Sequence, residues 1–311
     1  MPGHRLHWIR GLFAVGLVVL LSGCGVDDWI STFHLDSLVT FFTAGPVAAY
    51  ERNIMLFTFT VMLFVLVPVV GFTFWFAWHY RASNRDNTYT PNWHHSGLLE
   101  FFLWSGPVVI ILVLGTLTLF TTYDVDPYKP IESEHDPIKV EAIAMDWKWL
   151  FIYPEYNIAA VNEMAMPVDV PVVINLTSAT VMNAFMIPRL GSQIMAMSGM
   201  GTQLNLMATQ KGSYFGKNYQ YSGDGFAHMN FQARAMEQRR FDAWIDKARS
   251  ADRRLDIAAY KKLIEPSEDD DVSYYSWVRP NLYSHVIEEF NSADGNAYHV
   301  GGPHAASRHN K

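Results

Sequence analysis

Two long uncharged runs, residues 54–78 and 101–123, constrain this chain more than any other feature of it. A bilayer core about 30 Å thick is crossed by roughly 20 helical residues at a rise of about 1.5 Å each, and both runs exceed that length. Only a short polar segment separates them. They predict a transmembrane hairpin over residues 54–123, with spans at 54–78 and 98–123 and a loop at 79–97. Pro68 and Gly71 interrupt the first span. Membrane helices tolerate such residues where neighbouring groups re-satisfy the freed backbone. At 311 residues and 50% hydrophobic, the chain is too long for an anchor alone and too polar for a polytopic transporter. It reads as a small anchor carrying one water-facing domain. A net charge of −7 with no basic block sets nucleic-acid binding aside. A single cysteine excludes a disulfide framework and a Cys-x-x-Cys metal pair.

Ahead of the hairpin stand Arg5 and Arg10, an apolar run over residues 11–21, then Ser22, Gly23 and Cys24. Positive flank and short apolar core form the pattern of a secretory leader. Leu21-Ser22-Gly23-Cys24 resembles the lipobox of bacterial lipoproteins. On that reading residues 1–23 are a signal peptide and Cys24 is lipidated, with each buried methylene adding about 0.8 kcal/mol of membrane affinity. The competing reading is a small buried cysteine behind an uncleaved anchor. Arg81 and Arg85 in the loop, against Asp124 and Asp126 beyond the second span, place the loop inside and the rest outside. A lipidated Cys24 demands the same topology. Trp75, Trp78, Tyr80, Trp93 and Trp104 gather near the inner ends, as an interfacial belt does.

Residues 24–53 are mixed in composition and read as an external segment, with Gly45-Pro46 as a breaker and Glu51-Arg52 on the water side. From Pro130 the texture changes to short β-branched runs at 138–144, 170–176 and 203–207. Near-alternation in these runs predicts one β-sandwich or Greek-key barrel within residues 124–237. Phe241, Trp244, Ile245 and Ala248 then fall at helical spacing, and a helical pattern returns from Asn281 to Phe290, giving a helical segment over 238–291. The acidic run at 268–271 reads as a solvated loop. Residues 292–311, with Gly301-Gly302, Pro303 and three histidines, read as a disordered tail.

Four separated motifs carry a family resemblance. His95-Ser96-Gly97-Leu98-Leu99-Glu100, followed by Trp104 and Pro107, resembles the entry to the second helix of subunit II of the haem-copper respiratory oxidases. Met145-Asp146-Trp147-Lys148-Trp149-Leu150-Phe151 resembles the aromatic segment opening that subunit's external domain. Residues 181–191, Val-Met-Asn-Ala-Phe-Met-Ile-Pro-Arg-Leu-Gly, resemble the strand and turn that bring in its first copper ligand. Tyr221-Ser222-Gly223-Asp224-Gly225-Phe226 is similar to a loop of the ubiquinol-oxidizing branch, as are Tyr80-Arg81-Ala82-Ser83-Asn84 and Pro91-Asn92-Trp93. The fold so implied is a two-helix hairpin, a cupredoxin-like β-sandwich and a short helical C-terminal segment.

In the copper-bearing branch a dinuclear centre takes two thiolates, two imidazoles, a thioether and a backbone carbonyl, all suited to copper. Its ligands follow Cys-x-x-x-Cys-x-x-x-His-x-x-Met, with a glutamate two residues after the first cysteine. Anchoring that pattern on Met229 sets Asn218 and Ser222 at the cysteines, Gln220 at the glutamate and Phe226 at the histidine. Asn183 stands at the first histidine. The resemblance thus implies a metal-free member of the cytochrome bo-type ubiquinol oxidase subunit II family. Haems and copper would reside in subunit I, ubiquinol would be the substrate of the complex, and soluble cytochrome c would have no role. Its place would be the bacterial inner membrane, with the C-terminal domain on the periplasmic side.

Glu100 in the family marks the mouth of a proton-uptake path into the catalytic subunit; the plainer reading is a carboxylate marking a helix end. A charge at membrane depth costs about 2.5–3.5 kcal/mol at the centre and less near the interface, so it usually faces protein or water. Trp147 and Trp149 match an aromatic pair and are read as interface anchors toward subunit I. Met195, Met197, Met200 and Met207 are read as core rather than as a Cu(I) set, and His228 as a surface histidine. The alternative for the whole chain is a membrane-anchored cupredoxin-like lipoprotein serving as an envelope scaffold or copper-handling factor.

Overall fold

The computed structural model describes residues 41–84 and 91–292. The leader with Cys24, Arg85 in the loop, and the tail beyond Ser292 lie outside those residues. The chain divides into the units Met1–Phe42 and Thr43–Lys311, and the second holds everything that follows.

Helix α1 spans Pro46–His79 and α2 spans Gly97–Asp124. Both are long and apolar enough to cross a membrane, and most of their side chains are exposed. The segment expected to be external ends inside α1, because the helix starts at Pro46, ahead of the uncharged run. Proline at the first position is pre-organised for the helix and lacks an N–H that would be an orphan there. At 34 residues α1 is about 51 Å long, well beyond a 30 Å core, so its outer turns stand in water.

Those outer turns dock on the β-domain. The Ala48 N–H, one of the first-turn donors with no partner inside the helix, donates to Leu190 O at 3.1 Å. Ser192 donates through N and Oγ to Glu51 Oε1, at 3.0 and 3.1 Å. Gly191 sits between them at φ +102°, where a Cβ would lie 2.5 Å from Ala48 N. Only glycine fits both the torsion and the approach. At the exit of α2, Asp124 accepts from Tyr50 and from Lys129, each at 3.0 Å.

The domain is a β-sandwich, as the strand texture predicted. Its strands are β1 Ile138–Met145, β2 Lys148–Tyr153, β3 Ile158–Val161, β4 Glu163–Pro167, β5 Pro171–Ser178, β6 Asn183–Ile187, β7 Gly191–Ala196, β8 Thr202–Met207, β9 Gly212–Asn218 and β10 Asn230–Met236. Helix α3, Gln238–Arg249, follows; then come β11 Arg254–Leu255, α4 Ile257–Leu263, β12 Ser273–Tyr275, β13 Trp277–Val278 and α5 Leu282–Asn291. One sheet runs β12-β3-β2-β1-β5-β8, the other β4-β10-β9-β6-β7. Within these two sheets β1/β5 and β10/β4 are parallel and the rest antiparallel, and β11 pairs with β13 in parallel as a separate two-stranded sheet.

Alternate residues of β1–β3 enter different cores. Val140, Ala142, Ala144, Trp149, Phe151, Tyr153, Ile158 and Ala160 face the second sheet. Ile143, Met145, Leu150, Ile152, Ala159 and Val161 face outward, where Leu255, Tyr260, Tyr275, Val278, Leu282 and Val286 of the C-terminal segment cover them. A strand buried on both sides reads as a continuous apolar run, which is why Trp149-Leu150-Phe151-Ile152-Tyr153 shows no alternation. Helix α3 closes one end of the inner core with Phe241, Trp244, Ile245 and Ala248.

Two buried charges pin the C-terminal cover. Lys148 is 3% exposed and pairs with Asp270 at 2.9 Å, with Glu265 O and Ser267 Oγ completing its ammonium. The acidic run at 268–271 is a loop with Glu268, Asp269 and Asp271 exposed, as its composition indicated, while Asp270 docks on Lys148; Asp270 O also accepts from Asn162 at 2.9 Å. Glu163, 1% exposed, accepts from Trp244 Nε1 at 2.7 Å, Tyr274 OH at 2.6 Å and Arg234 Nε at 2.6 Å. Burial pushes the Asp270 carboxyl up, but the Ser267 hydroxyl and Lys148 ammonium outweigh it and hold it below the ordinary carboxylate range. A depressed folded pKa gives a stabilisation present above the unfolded value of about 4 and lost as pH falls through the folded value. Thermal unfolding of the wild-type chain in detergent is expected to show an acid-side loss below about pH 4 that Asp270→Asn lacks, the variant starting from a lower midpoint.

Candidate functional site

The positions singled out from the sequence fall in two places. Most lie at one end of the sandwich, where β6, β9 and the loop into the 3₁₀ turn Asp224–His228 meet. Asn183 opens β6, Asn218 closes β9, and both are fully buried. Asn218 Nδ2 donates to Asn183 Oδ1 at 2.6 Å and lies 3.1 Å from Ser222 Oγ and 3.3 Å from Met229 Sδ. An amide has two N–H groups, so the hydroxyl and the thioether share the second. Asn218 Oδ1 accepts from Ala184 N at 2.8 Å and from Gln220 N at 3.0 Å. Asn183 Nδ2 donates to Val181 O at 2.8 Å.

Four side chains placed from distant sequence positions thus converge on one buried point, held by neutral hydrogen bonds. Gln220 joins through its backbone only. Phe226 takes no part: it packs on Tyr221 with centroids 5.7 Å apart and lies under Lys217 Nζ at 5.6 Å. His228 is exposed and pairs with Asp269 at 3.0 Å. The donors at the centre are amide, hydroxyl and thioether. Copper of the dinuclear kind needs bridging thiolates and imidazoles, so this set does not fit it.

Trp147 straps the cluster from above. The two-residue loop Asp146-Trp147 between β1 and β2 puts Trp147 at φ 66°, a conformation that costs a bulky residue about 1–3 kcal/mol. Its Nε1 donates to Ser222 O at 3.1 Å, and its ring fills the space over Gly225, where a Cβ would come within 2.4 Å of it. Trp149, read from sequence as an interface anchor, is instead 0% exposed. Its ring sits edge-on to Phe185 and Phe231 at 5.2 and 5.8 Å, because it is the inward residue of a strand buried on both faces. The methionine reading also needs correction. Met200 is exposed and Met195, Met197 and Met207 are half-buried at the surface of the domain, not in its core.

Glu100 stands apart, in the first turn of α2. Ser96 caps that helix by accepting from Leu99 N at 3.5 Å, and Glu100 N donates to Ser96 O at 3.0 Å. A carboxylate in the first turn complements the helix dipole. The side chain is 52% exposed and lies 3.4 Å from His95 Nε2. Sequence reading missed Lys148 and Glu163 as buried charges, since neither has a local signal; both are satisfied by partners more than 70 residues away.

Residues 138–236 match the family described as cytochrome c oxidase subunit II, periplasmic domain, and residues 249–293 match the one described as the COX aromatic rich motif. The cytochrome bo(3) ubiquinol oxidase subunit 2 of Pseudomonas aeruginosa is 40% identical over 311 residues, covering 99% of this chain and 88% of that one. The ubiquinol oxidase subunit 2 of Acetobacter aceti is 42% identical over 294 residues, covering 94% and 92%. Among solved structures, the periplasmic domain of cytochrome oxidase subunit II of Bradyrhizobium japonicum aligns at 22% identity with a TM-score of 0.36, covering 38% of this chain and 96% of that one.

Removing the central amide tests the cluster. Asn218→Leu strands the Ala184 and Gln220 N–H groups and is expected to cost about 2–4 kcal/mol of stability, read as a lowered unfolding midpoint. Asn218→Asp keeps the acceptor but buries a carboxyl, whose folded pKa must rise above its unfolded value. Measured against the wild type at the same pH, its stability is therefore expected to be least reduced at acid pH and to fall further as pH rises through that value.

Proposed function

Because this chain belongs to the subunit II family of the quinol oxidases, we propose that it is the metal-free second subunit of a proton-pumping ubiquinol oxidase. The complex oxidizes ubiquinol, reduces O₂ to water and contributes to the proton gradient. The observation that carries this reading is the amide, hydroxyl and thioether set at Asn183, Asn218, Ser222 and Met229, which offers a dinuclear copper centre neither thiolate nor imidazole. A donor that arrives dissolved in the bilayer needs no copper relay facing water. Haems, copper and the quinol site belong to subunit I. This chain contributes assembly, a cap over the external face through Trp147 and its surroundings, and proton entry at Glu100.

Three features support the assignment of roles. The two helices leave their apolar surfaces uncovered, far more than a soluble monomer exposes, and so present faces to lipid and to subunit I. Glu100 lies at the end of α2 remote from the β-domain, which supports a cytoplasmic-side role for it when that domain is periplasmic. Its carboxylate is open to water and beside the His95 ring, as a proton-collecting group must be. Cys24, in the part of the chain outside the described residues, takes a lipid anchor in this reading and fixes the mature N-terminus to the same membrane.

Purification of the complex in mild detergent, with metal content and haem spectra recorded before and after separating the subunits, tests the assignment. Haem-bearing partners are expected to co-purify, and the separated chain to carry no copper at dinuclear stoichiometry. Copper at that stoichiometry, or a chain that purifies without haem-bearing partners, overturns it in favour of a copper-handling or scaffold lipoprotein. Glu100→Ala is expected to slow turnover and proton uptake several-fold at unchanged haem content, with Glu100→Asp retaining most of both. Unchanged rates in Glu100→Ala would leave the residue as a helix-end carboxylate only.

A further inference from the structure

The chain is acidic overall, at −7, yet one groove of the β-domain is cationic. It is an open groove of about 630 Å³ between β9, the end of β10 and the outer side of α3. Lys211, Arg234, Arg240 and Lys247 line it against a single carboxylate, Glu237. Met236, Ala243 and the edge of Trp244 give it an apolar floor. Glu237 is held by Lys211, and Arg234 neutralises the buried Glu163. Lys247 lies 4.6 Å over the ring of Tyr274, and Arg240 enters as an additional cation. Two positive charges are thus left over within the groove.

Its position in the fold adds the second argument. Thr209 donates through N and Oγ1 to Ala44 O, at 2.8 and 3.1 Å, immediately before the cap of α1. Lys211 follows two positions later, so this lip of the groove lies at the height of the start of α1. From Gly45 to the first residue of the uncharged run, Ile54, is about 13.5 Å at helical rise. The headgroup layer occupies roughly 5–8 Å above the hydrocarbon. Long lysine and arginine side chains cover the remaining distance to a phosphate.

We propose that this groove binds the headgroup of an anionic phospholipid of the outer leaflet, its phosphate paired with Arg240 and with Lys211, whose ammonium keeps two N–H donors beside the one given to Glu237, and its glycerol region against Met236 and Trp244. An arginine fork suits a phosphate bidentately, and an apolar floor beside it suits a lipid better than a free ion. The attraction to a negative surface weakens with salt. This assignment is independent of copper and of Glu100.

The test uses the full-length chain, delipidated in neutral detergent and titrated with phosphatidylglycerol or phosphatidylcholine, with bound lipid counted by native mass spectrometry. The wild type is expected to bind phosphatidylglycerol at least tenfold more tightly than phosphatidylcholine. Lys211→Ala/Arg240→Ala, two exposed substitutions, is expected to lose that preference while its unfolding midpoint and phosphatidylcholine binding stay unchanged. Equal binding of the two lipids by the wild type, an undiminished preference in the double variant, or full displacement by millimolar inorganic phosphate overturns the proposal. Acidic peptide bound at the groove in preference to lipid overturns it as well.

Discussion

A sheet that is apolar on both faces must be covered twice, and the organisation of this chain follows from that constraint. The inner face of β1–β3 meets the second sheet around Trp149, Phe151, Phe185 and Phe231, whose rings lie 5.0 to 6.5 Å apart. The outer face carries Ile143, Leu150 and Ile152, and the segment from β11 to α5 exists to bury them. Burial at about 25 cal/mol per Å² drives both contacts, but neither fixes where the cover sits. The two buried charges supply that specificity. Lys148 on β2 finds its counter-charge, Asp270, in the C-terminal segment, so another arrangement leaves it desolvated and unpaired, while Glu163 on β4, already paired with Arg234, adds a hydrogen bond from Tyr274.

The cluster at Asn183, Asn218, Ser222 and Met229 answers a related constraint. Three elements that meet at a buried point leave backbone N–H groups there, and these must find acceptors whether or not a metal is present. Asn218 Oδ1 satisfies two of them and its Nδ2 closes the ring of contacts to the other three side chains. An asparagine pair can do this without charge, so the loop stays ordered and the strained Trp147 stays seated on it. The convergence at this point is held by hydrogen bonds among an amide pair, a hydroxyl and a thioether, a donor set that does not suit a dinuclear copper centre.

How much of this was legible in the sequence depends on how local each signal is. The spans and the sandwich were readable because apolar length and β-branched alternation are properties of contiguous residues. The helix over Gln238–Arg249 was readable for the same reason, through Phe241, Trp244, Ile245 and Ala248. Convergence of positions 183, 218, 222 and 229 was reached only through the resemblance to a known motif. Trp149 was misread because an aromatic on a strand looks alike whether it faces a partner or a core, and only the second sheet decides. The docking of Asp270 within the acidic run was not legible because its partner, Lys148, lies more than 100 residues away and carries no mark of burial in the sequence. The start of α1 was missed because its outer turns are stabilised by Leu190 and Ser192, again from a distant strand turn.

That last contact has a consequence for how the two halves of the chain act together. Glu51 and Ala48 fasten α1 to the turn at Leu190-Gly191-Ser192, and Asp124 fastens the exit of α2 through Tyr50 and Lys129. Both helices therefore leave the domain from fixed points, and neither is a flexible tether. A helix clamped at its outer end transmits the orientation of the domain to its inner end, since bending a continuous helix requires breaking its hydrogen-bond ladder. Pro68 and Pro107 are the two places where that ladder is already interrupted. Under the function proposed above, the position of Glu100 is consequently tied to how the external domain seats on its partner. A subunit of the proposed kind would in this way hold a protonatable group in register with the machinery it caps.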